Sequence, residues 1–499
     1  MYVLFPAFLG ANRAQDLDAE LQVALRRLSK KDETTRVKAL EDLSLLIPTK
    51  TQADVEQLVG RWAKPFLKLC QDPHRRVREG AICVLSAIVT RVGRALAPHV
   101  RALSGAWLCA TFDPAREVSR LARELLQTTF PDAKRAAMLA HTRADVITYA
   151  AGLVLNDNPE TLCDPKQFSK EEVLAVADRL RAEALSCLAM LVAEAGAASD
   201  LEHVLESKRF WSLIKGENAT VRRSFYQFIR ELAQYGPAAL EAHARPAALA
   251  VLSFADADAG SVLGDLWTAA LQVSKNVPAV WSAVDVRKAI LPGLVAHIKS
   301  PQFASPAAAP CLLPFIATVP KDTGVVPTVL DALSQACTAE ARPDALAVML
   351  GALTECVAFA AAADQTISVA NTVTLLTRAA LEATVPARRA ALAGAAATLC
   401  ARFDTSSALT DAAAFSASVS ATETSARAAL WAALATAEQP WALALIEKQI
   451  NTAVATLPSA SAVAFVCDLL QAAGVAAALD WNATVLPALN GVMDASPPS

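Results

Sequence analysis

Apolar residues recur at helical spacing through the stretch from Asp72 to Val92. Its apolar positions, at steps of three and four, are Val77, Ala81, Val84, Leu85, Ile88 and Val92. Residues at those steps lie on one face of an α-helix, and that face must be buried against another element. Asp72 is followed by Pro73, a pair that often begins a helix. The pattern therefore predicts a helix that begins at this pair, with Asp72 as its N-cap and one buried face.

The same pattern returns about 40 residues away on either side. Asp113 follows Asp72 by 41 residues, and Asp32 precedes it by 40. Two copies consist of aspartate, four residues, valine, three residues and alanine, whereas the copy after Asp32 has Glu41 at the alanine position. A period near 40 with one buried helical face per unit is typical of stacked helical hairpins. The predicted fold class is all-α, an elongated HEAT- or armadillo-like helical-repeat solenoid.

Turn-forming residues divide the chain that follows. Pro131 predicts the start of a long helix that reaches about Val154. The segment NDNPETLCDPKQFSK, residues 156–170, predicts a loop inserted into the array. Helical periodicity returns over residues 171–193 and again over residues 219–235.

The composition changes near residue 320. Beyond it alanine becomes the commonest residue, and the clear 40-residue spacing fades. Helices with short side chains still pack, only closer together, so we expect the array to go on. The predicted organisation is a HEAT-like domain over residues 1–320 and an Ala-rich continuation of the solenoid over residues 321–499.

An aromatic share of 6% and only 17 glycines in 499 residues suit the packing of helix against helix. The ten cysteines are scattered singly, with no Cys-x-x-Cys and no neighbouring histidine at ligand spacing. We interpret them as small core residues of a reducing compartment and expect no metal and no cofactor. The most membrane-like window, residues 345–363, carries Glu355 in its middle. We interpret it as a core helix and expect no membrane partner.

The net charge of −3 hides an asymmetry between the two ends of the chain. Residues 1–150 contain 23 Lys and Arg against 16 Asp and Glu, a balance of +7, whereas the remainder has a balance of −10. A basic first third suggests a polyanion or an acidic partner for the amino-terminal end. No catalytic residue is predicted, because the chain has no phosphate-cradling Gly-rich loop, no Gly-x-Ser-x-Gly elbow and no His-Glu-x-x-His.

The basic residues of this first third are concentrated in two clusters. Arg78, just after a predicted buried valine, is expected to pair with an aspartate of its own or the next repeat. Five other basic residues of these clusters are predicted to contact a partner or the phosphate backbone of RNA near one end of the solenoid. Those predicted binding residues are Lys30, Lys31, Arg36, Arg75 and Arg76. The alternative is that they are ordinary solvated cations that offset the dipoles of helix ends.

Several segments resemble the amino-terminal domain of the listerin family, the RING-type E3 ubiquitin ligases of ribosome-associated quality control. The first two are LRRLSKKDETTRVKALEDL at 25–43 and DPHRRVREGA at 72–81. The others are YVLFPAF at 2–8, LAPHVRALSGAWLCATFDPAREVSRLAREL at 96–125, LWTAALQ at 266–272 and LLPFIATVP at 312–320. The resemblance covers roughly residues 1–320.

This resemblance implies a HEAT-like scaffold in the cytosol. Its expected partners are the large ribosomal subunit carrying peptidyl-tRNA and the quality-control factor that senses the peptidyl-tRNA. In the family a carboxy-terminal RING ubiquitinates the stalled nascent chain. No RING cysteine pattern occurs here, and the Lys-rich segment that usually precedes the YVLFPAF-like stretch is missing. We therefore expect the front part of a longer ligase or a truncated gene product. Such a chain would lack the RING and its zinc. Without a RING it would be unable to recruit an E2 enzyme.

Two other classes of HEAT array remain as alternatives, a nuclear-transport receptor and a phosphatase-type scaffold. A transport receptor is expected to be markedly acidic along its inner surface from the start, whereas this chain begins basic. An enzyme hidden in the Ala-rich half has no supporting constellation of residues.

Overall fold

A computed structural model describes residues 17–156, 158–162, 168–255, 260–363 and 368–403. Throughout these residues the regular structure is helical, and they contain no β-strand. The predicted all-α fold class is therefore confirmed. The chain divides into two compact units, residues 1–243 and 244–499, which are described separately below.

The first unit contains twelve α-helices among its described residues. They are α1 Ala19–Arg27, α2 Glu33–Leu46, α3 Gln52–Cys70, α4 Arg75–Val92, α5 Val100–Ala110, α6 Arg116–Thr129, α7 Asp132–Val154, α8 Lys170–Ala195, α9 Glu202–Leu205, α10 Lys208–Ser212, α11 Ala219–Tyr235 and α12 Pro237–Glu241. The helices predicted over 131–154, 171–193 and 219–235 are confirmed as α7, α8 and α11.

Local signals explain where the long helix α8 begins and ends. The Ser169 hydroxyl accepts a hydrogen bond from the backbone N–H of Glu172, while the Glu172 carboxylate accepts one from the backbone N–H of Ser169. This capping box satisfies two amides that the helix itself leaves without partners. The helix ends at Gly196, whose φ of 60° lies in the left-handed region that favours glycine.

The first helices stack as two alternating rows. Helices α2, α4 and α6 pack in one row, and α3, α5 and α7 pack in the other. Each hairpin is closed by contact between its two helices, as between α3 and α4. Helix α8 then packs against α5, α7 and α11. The arrangement confirms stacked helical hairpins, in which each apolar face is buried by the neighbouring repeat.

The prediction that Asp72 and Asp113 are N-caps is wrong. Helices α4 and α6 begin three residues after these aspartates, at Arg75 and Arg116. The Asp72 carboxylate instead accepts a hydrogen bond from the backbone N–H of His74, two residues on, which closes a turn before the helix. Only the first copy behaves as predicted among these three described helices, because the Asp32 carboxylate accepts from Thr35 N–H at 2.7 Å.

The corrected helix starts explain the irregular alanine position. Helices α2, α4 and α6 begin at Glu33, Arg75 and Arg116, so the repeat is 42 and then 41 residues. The seventh residues of these helices are Ala39, Ala81 and Ala122, each fully buried. The sequence pattern places the first copy two residues too late, so the exposed Glu41 stands where the pattern expects an alanine. An alanine at this position lets neighbouring helices of the row approach closely.

The second unit repeats the alternation. Its helices are α13 Ala244–Ala247, α14 Leu263–Asn276, α15 Val286–Ala289, α16 Leu291–Ile298, α17 Ala309–Ile316, α18 Val325–Ala339, α19 Pro343–Ala362, α20 Val369–Glu382 and α21 Pro386–Phe403. Helices α16, α18 and α20 pack in one row, and α14, α17, α19 and α21 pack in the other. The stacking thus crosses residue 320 without a break. The continuation predicted for residues 404–499 lies outside the described residues, and the domain boundary at 320 stays a prediction.

Two stretches pass a membrane-span test by length and composition, residues 75–110 and Pro343–Ala362. The first comprises two helices, α4 and α5, with the 3-10 helix Gly93–His99 between them. The second is α19, which packs against α17, α18 and α21. Within their most apolar windows 39% and 44% of the residues are buried inside the fold.

Candidate interaction surface

Buried arginines connect the turns that precede α2, α4 and α6. The Arg36 side chain is only 7% exposed, and its Nε lies 3.0 Å from Asp72 Oδ2 of the next turn. Its Nη1 donates to the carbonyl oxygens of Lys30 and Lys31 at 3.0 and 2.6 Å. One guanidinium therefore fastens its own turn to the turn of the following repeat.

Arg78 repeats this arrangement one repeat later. It holds Asp113 through two bonds, Nε to Oδ2 at 2.6 Å and Nη2 to Oδ1 at 3.1 Å. Its Nη1 donates to the carbonyl oxygens of Asp72 and Pro73 at 3.0 and 2.9 Å. The prediction that Arg78 is structural is confirmed. We call the two pairs, Arg36 with Asp72 and Arg78 with Asp113, the arginine ladder.

The ladder ends on helix α8. The fourth residues of α2 and α4 are the ladder arginines, but the fourth residue of α6 is Ser119. Arg179 of α8 approaches instead, with Nη1 2.7 Å from Glu183 Oε1 and 3.8 Å from Asp113 Oδ2. Its Nη2 donates to the carbonyl oxygen of Gln71 at 3.0 Å, at the carboxyl end of α3. Arg179 therefore ties α8 to turns more than 100 residues earlier.

Glu183 is a second deeply buried acid of this group, with 3% of its surface exposed. Burial raises the pKa of its carboxyl to about 7, although the neighbouring Arg179 works in the opposite direction. Burial likewise raises the pKa of the nearby Cys70 thiol and of the Tyr149 phenol. These thiol and phenol groups are kept neutral, so they are inert parts of the core.

The eight described cysteines form no disulfides, and six of them are buried. Their interpretation as small core residues therefore holds for those six. Cys163 and Cys467 lie outside the described residues. No group of three or more potential metal ligands occurs in the described parts of the chain.

The ladder places five exposed cations on adjacent turns at one edge of the helix stack. Two precede α2, two lie in the first turn of α4 and one begins α6; they are Lys30, Lys31, Arg75, Arg76 and Arg116. We call this surface the basic edge. Because the amino-terminal ends of α2, α4 and α6 all lie at these turns, the helix dipoles add to its positive potential.

Two acids on the same turns partly offset this charge. Glu117 lies 3.4 Å from Arg75, and both side chains are about half exposed. Glu33 lies 3.3 Å from His74 Nε2, whose other ring nitrogen faces Asp72. Lys30, Arg76 and Arg116 form no ion pair with any acid in the residues that the structure describes. These three cations are therefore the most available to a partner.

The structure separates the five predicted binding residues into two groups. Lys30, Lys31, Arg75 and Arg76 are exposed and lie together at one edge, and their binding role stays a prediction. Arg36 was also predicted to bind a partner, and the structure corrects this: it is buried in the arginine ladder, where Asp72 and two carbonyl oxygens engage its guanidinium.

Sequence reasoning missed Arg116 and Arg179. Arg116 holds the same first-turn position in α6 that Arg75 holds in α4, and the corrected repeat would have shown it. Arg179 meets its partners through tertiary contacts that leave no local signal in the sequence.

Comparison with known proteins places most of the first 320 residues in one family. The sequence model for "E3 ubiquitin-protein ligase listerin, N-terminal domain" matches residues 16–319. A listerin of Mus musculus is 28% identical over 324 residues, which are 63% of this chain and 18% of that protein. A listerin of Drosophila melanogaster is 27% identical over 335 residues, 63% of this chain and 19% of that protein. The chain thus spans about a fifth of the length of these relatives.

Solved structures show a more distant likeness. Yeast importin-β (Kap95p) is 13% identical, with 96% of this chain and 65% of that chain covered. The TM-score is 0.34, which carries no functional argument.

Proposed function

The chain belongs to the listerin family of E3 ubiquitin-protein ligases through its residues 16–319, and we propose that it is the ribosome-binding scaffold of such a ligase. In this proposal it acts in the cytosol on large ribosomal subunits that carry peptidyl-tRNA. The factor that senses the peptidyl-tRNA is its second partner. Ubiquitin transfer would depend on a RING domain, which is the part of such a ligase that binds zinc. The helical array itself needs no cofactor.

The observation that supports this proposal is the basic edge. Its cations stand on turns fixed by the buried arginine ladder, so little conformational freedom of the backbone is lost when a partner binds. Phosphates of ribosomal RNA suit both residue types, because lysine binds them as a point charge and arginine as a planar fork. An acidic surface of the sensing factor has the same chemistry. Contacts of this kind position the scaffold without reading base sequence.

The charge distribution along the chain agrees with a binding surface in its first 150 residues. The first 150 residues carry a balance of +7, and the remainder carries −10. A basic surface raises the rate of encounter with a polyanion, and the attraction decreases as salt rises. We therefore expect ribosome binding to begin at this edge.

Reversal of two charges tests the proposal. The test variant is Lys30→Glu with Arg76→Glu, which leaves the Arg75–Glu117 pair and the arginine ladder intact. The control variant is Arg61→Glu with Arg94→Glu, which changes the net charge equally at exposed positions in α3 and after α4. Each protein is co-sedimented with large subunits carrying peptidyl-tRNA at several salt concentrations, with and without the sensing factor.

The test variant is expected to bind more weakly than the control variant. The slope of log affinity against log salt should decrease by about one unit for each lost phosphate contact, hence by about two. A loss seen only when the sensing factor is present would assign the contact to that factor. Equal binding and equal salt slopes for parent, test and control would reject the basic edge as the binding surface and leave it as solvated helix ends.

A further inference from the structure

Four described serines have an arginine three residues before them: Ser29, Ser104, Ser119 and Ser212. In all four the hydroxyl donates to the carbonyl oxygen of that arginine, at distances of 2.8, 3.1, 3.3 and 2.7 Å respectively. The local geometry is therefore shared. What differs among the four serines is access from solvent.

Ser29 is the exposed member of this set. Ser104 and Ser119 are buried, with 2% and 3% of their surface exposed, and Ser212 is half-buried. Ser29 also has a second arginine two residues before it, in the sequence Arg26-Arg27-Leu28-Ser29. Arginines at these two positions are what a basophilic serine/threonine kinase recognises, because acidic pockets of its substrate groove bind both guanidinium groups.

We propose that Ser29 is a phosphorylation site for a basophilic serine/threonine kinase, and that the phosphate acts as a charge switch for the basic edge. Ser29 directly precedes Lys30 and Lys31, so the modified residue belongs to the same turn as two cations of that edge. The site itself stands on sequence and exposure. Its effect on ribosome binding rests on the function proposed above.

The transfer uses Mg²⁺-bound ATP as the phosphoryl donor. The Ser29 Oγ first leaves the carbonyl oxygen of Arg26 and forms a bond to the γ-phosphorus. The bond between that phosphorus and the β,γ-bridging oxygen breaks, and ADP leaves. A catalytic carboxylate of the kinase takes the hydroxyl proton.

The kinase needs residues 26–29 in an extended conformation, so the last turn of α1 must open while Arg36 keeps its bonds to the carbonyl oxygens of Lys30 and Lys31. Helix α1 has only nine residues, and helices this short are marginal without tertiary packing. The segment is held to α2 by the Arg27–Asp42 ion pair at 2.5 Å, in which each side chain is about a third exposed. Leu28 is its buried anchor, at 6% exposure. Ser104 and Ser119 lie inside α5 and α6, where extension would require the core to open.

The phosphate would oppose the function of the edge. A phosphoserine carries a charge of about −1.5 to −2 at pH 7 and accepts hydrogen bonds from neighbouring cations. It would stand just after the carboxyl end of α1, whose carbonyl oxygens repel it, and its exposed cationic neighbours are Arg26 and Lys30, the second of which belongs to the basic edge. Cations engaged in this way are no longer available to RNA phosphates.

The first test asks whether the folded chain is modified at Ser29. The purified 499-residue protein is incubated with the catalytic subunit of cAMP-dependent protein kinase and Mg²⁺-ATP, and phosphopeptides are mapped by mass spectrometry. Ser29 should reach a level near one phosphate per chain, while Ser104 and Ser119 stay unmodified until the protein is heat-denatured. Arg26→Ala with Arg27→Ala should slow the modification by roughly tenfold or more, since both charge-assisted contacts are lost. An unmodified Ser29, or equal modification of Ser104 and Ser119 in the folded chain, would overturn the assignment.

The second test measures the charge switch, with heparin as a defined polyanion and with large subunits. The kinase-treated parent is compared with kinase-treated Ser29→Ala. The phosphorylated parent should bind heparin about tenfold more weakly at low salt, with a salt slope smaller by about one to two units. Equal heparin affinities would refute the switch. Weaker heparin binding by the phosphorylated parent, together with no binding of the unmodified chain to large subunits, would support the switch and reject the proposed function.

Discussion

The arginine ladder predicts a large effect from removal of Arg78. Its guanidinium makes four hydrogen bonds, two to Asp113 and two to backbone carbonyl oxygens, at 2.6 to 3.1 Å. In Arg78→Met the Asp113 carboxylate stays 1% exposed and keeps the Ala115 amide at 2.8 Å, with Arg179 farther away at 3.8 Å. Removal of one partner from a buried ion pair costs about 3 to 5 kcal/mol. We expect the lower figure, about 3 kcal/mol, because Arg179 can move toward the carboxylate.

Amide hydrogen exchange is the appropriate assay, because a chain of two compact units need not unfold in one step. Peptides from α4 and α6 should exchange about a hundredfold faster in Arg78→Met, since each 1.4 kcal/mol is a factor of about ten. The control is Arg120→Met in α6, which removes an exposed i,i+4 pair with Glu124. It should leave the exchange of α4 unchanged.

A double variant shows whether the unpaired Asp113 carboxylate causes the loss of stability in Arg78→Met. Arg78→Met with Asp113→Asn removes both charges, while the amide oxygen can still accept from the Ala115 N–H. Much of the stability should return, because a buried pair replaced by neutral groups of similar size is often close to neutral. If the double variant exchanges as fast as Arg78→Met, the cost comes from lost packing and carbonyl contacts. If Arg78→Met exchanges as slowly as the parent, the ladder does not hold the turns together.

Three further predictions concern the core and the activity. Ala81→Arg places a charge on the fully buried face of α4 and should lower the melting temperature strongly. Thr90→Arg, at an exposed position of the same helix, should not. Equal melting temperatures would refute the assignment of Ala81 to the buried face. Because the pKa of Glu183 is raised to about 7, the folded state binds the extra proton between roughly pH 4.5 and 7. This contribution to stability is present below pH 4.5 and is lost as pH rises through 7. Glu183→Gln should flatten that slope in urea unfolding followed from pH 5 to 8, and an unchanged slope would contradict the raised pKa. Purified residues 1–499 should build no ubiquitin chains with E1, E2 and ATP, because their singly spaced cysteines match no RING zinc site; chain synthesis above background would reveal a missed catalytic element.

Local signals were enough to predict the helices but not their connections. Pro131 and the periodic residues after it predicted α7 to within a residue, and the turn-rich segment before α8 ended where Ser169 caps the helix. These features depend on neighbours a few positions away, which a sequence displays directly. Asp72 satisfied the same local criteria for an N-cap, yet a turn two residues on and an arginine 36 residues earlier engage it instead. Aspartate before proline fits both arrangements, and only the tertiary contact decides between them.

The residues of the basic edge could likewise be predicted only in part from the sequence. The exposure of Lys30 and Arg76 followed from their place outside the apolar stripe. Arg36 has the same charge but occupies the fourth position of α2, where the helix faces the next repeat. A shift of two residues in the assumed repeat hid its equivalence to Arg78, so one arginine was assigned to a partner and the other to the fold. With the helix starts aligned, both are members of one structural series.

This assignment also locates the excess charge of the first third of the chain. Each ladder arginine is matched by a buried aspartate, so the two ladder pairs contribute nothing to the balance of +7. The whole excess therefore belongs to the other groups, several of which stand on turns that the ladder fixes. The contacts that bury the ladder pairs also hold exposed cations in place, since the backbone that accepts bonds from Arg36 carries Lys30 and Lys31. A surface held in this way presents its charges in a fixed arrangement, as expected of an edge that engages a polyanion through its backbone.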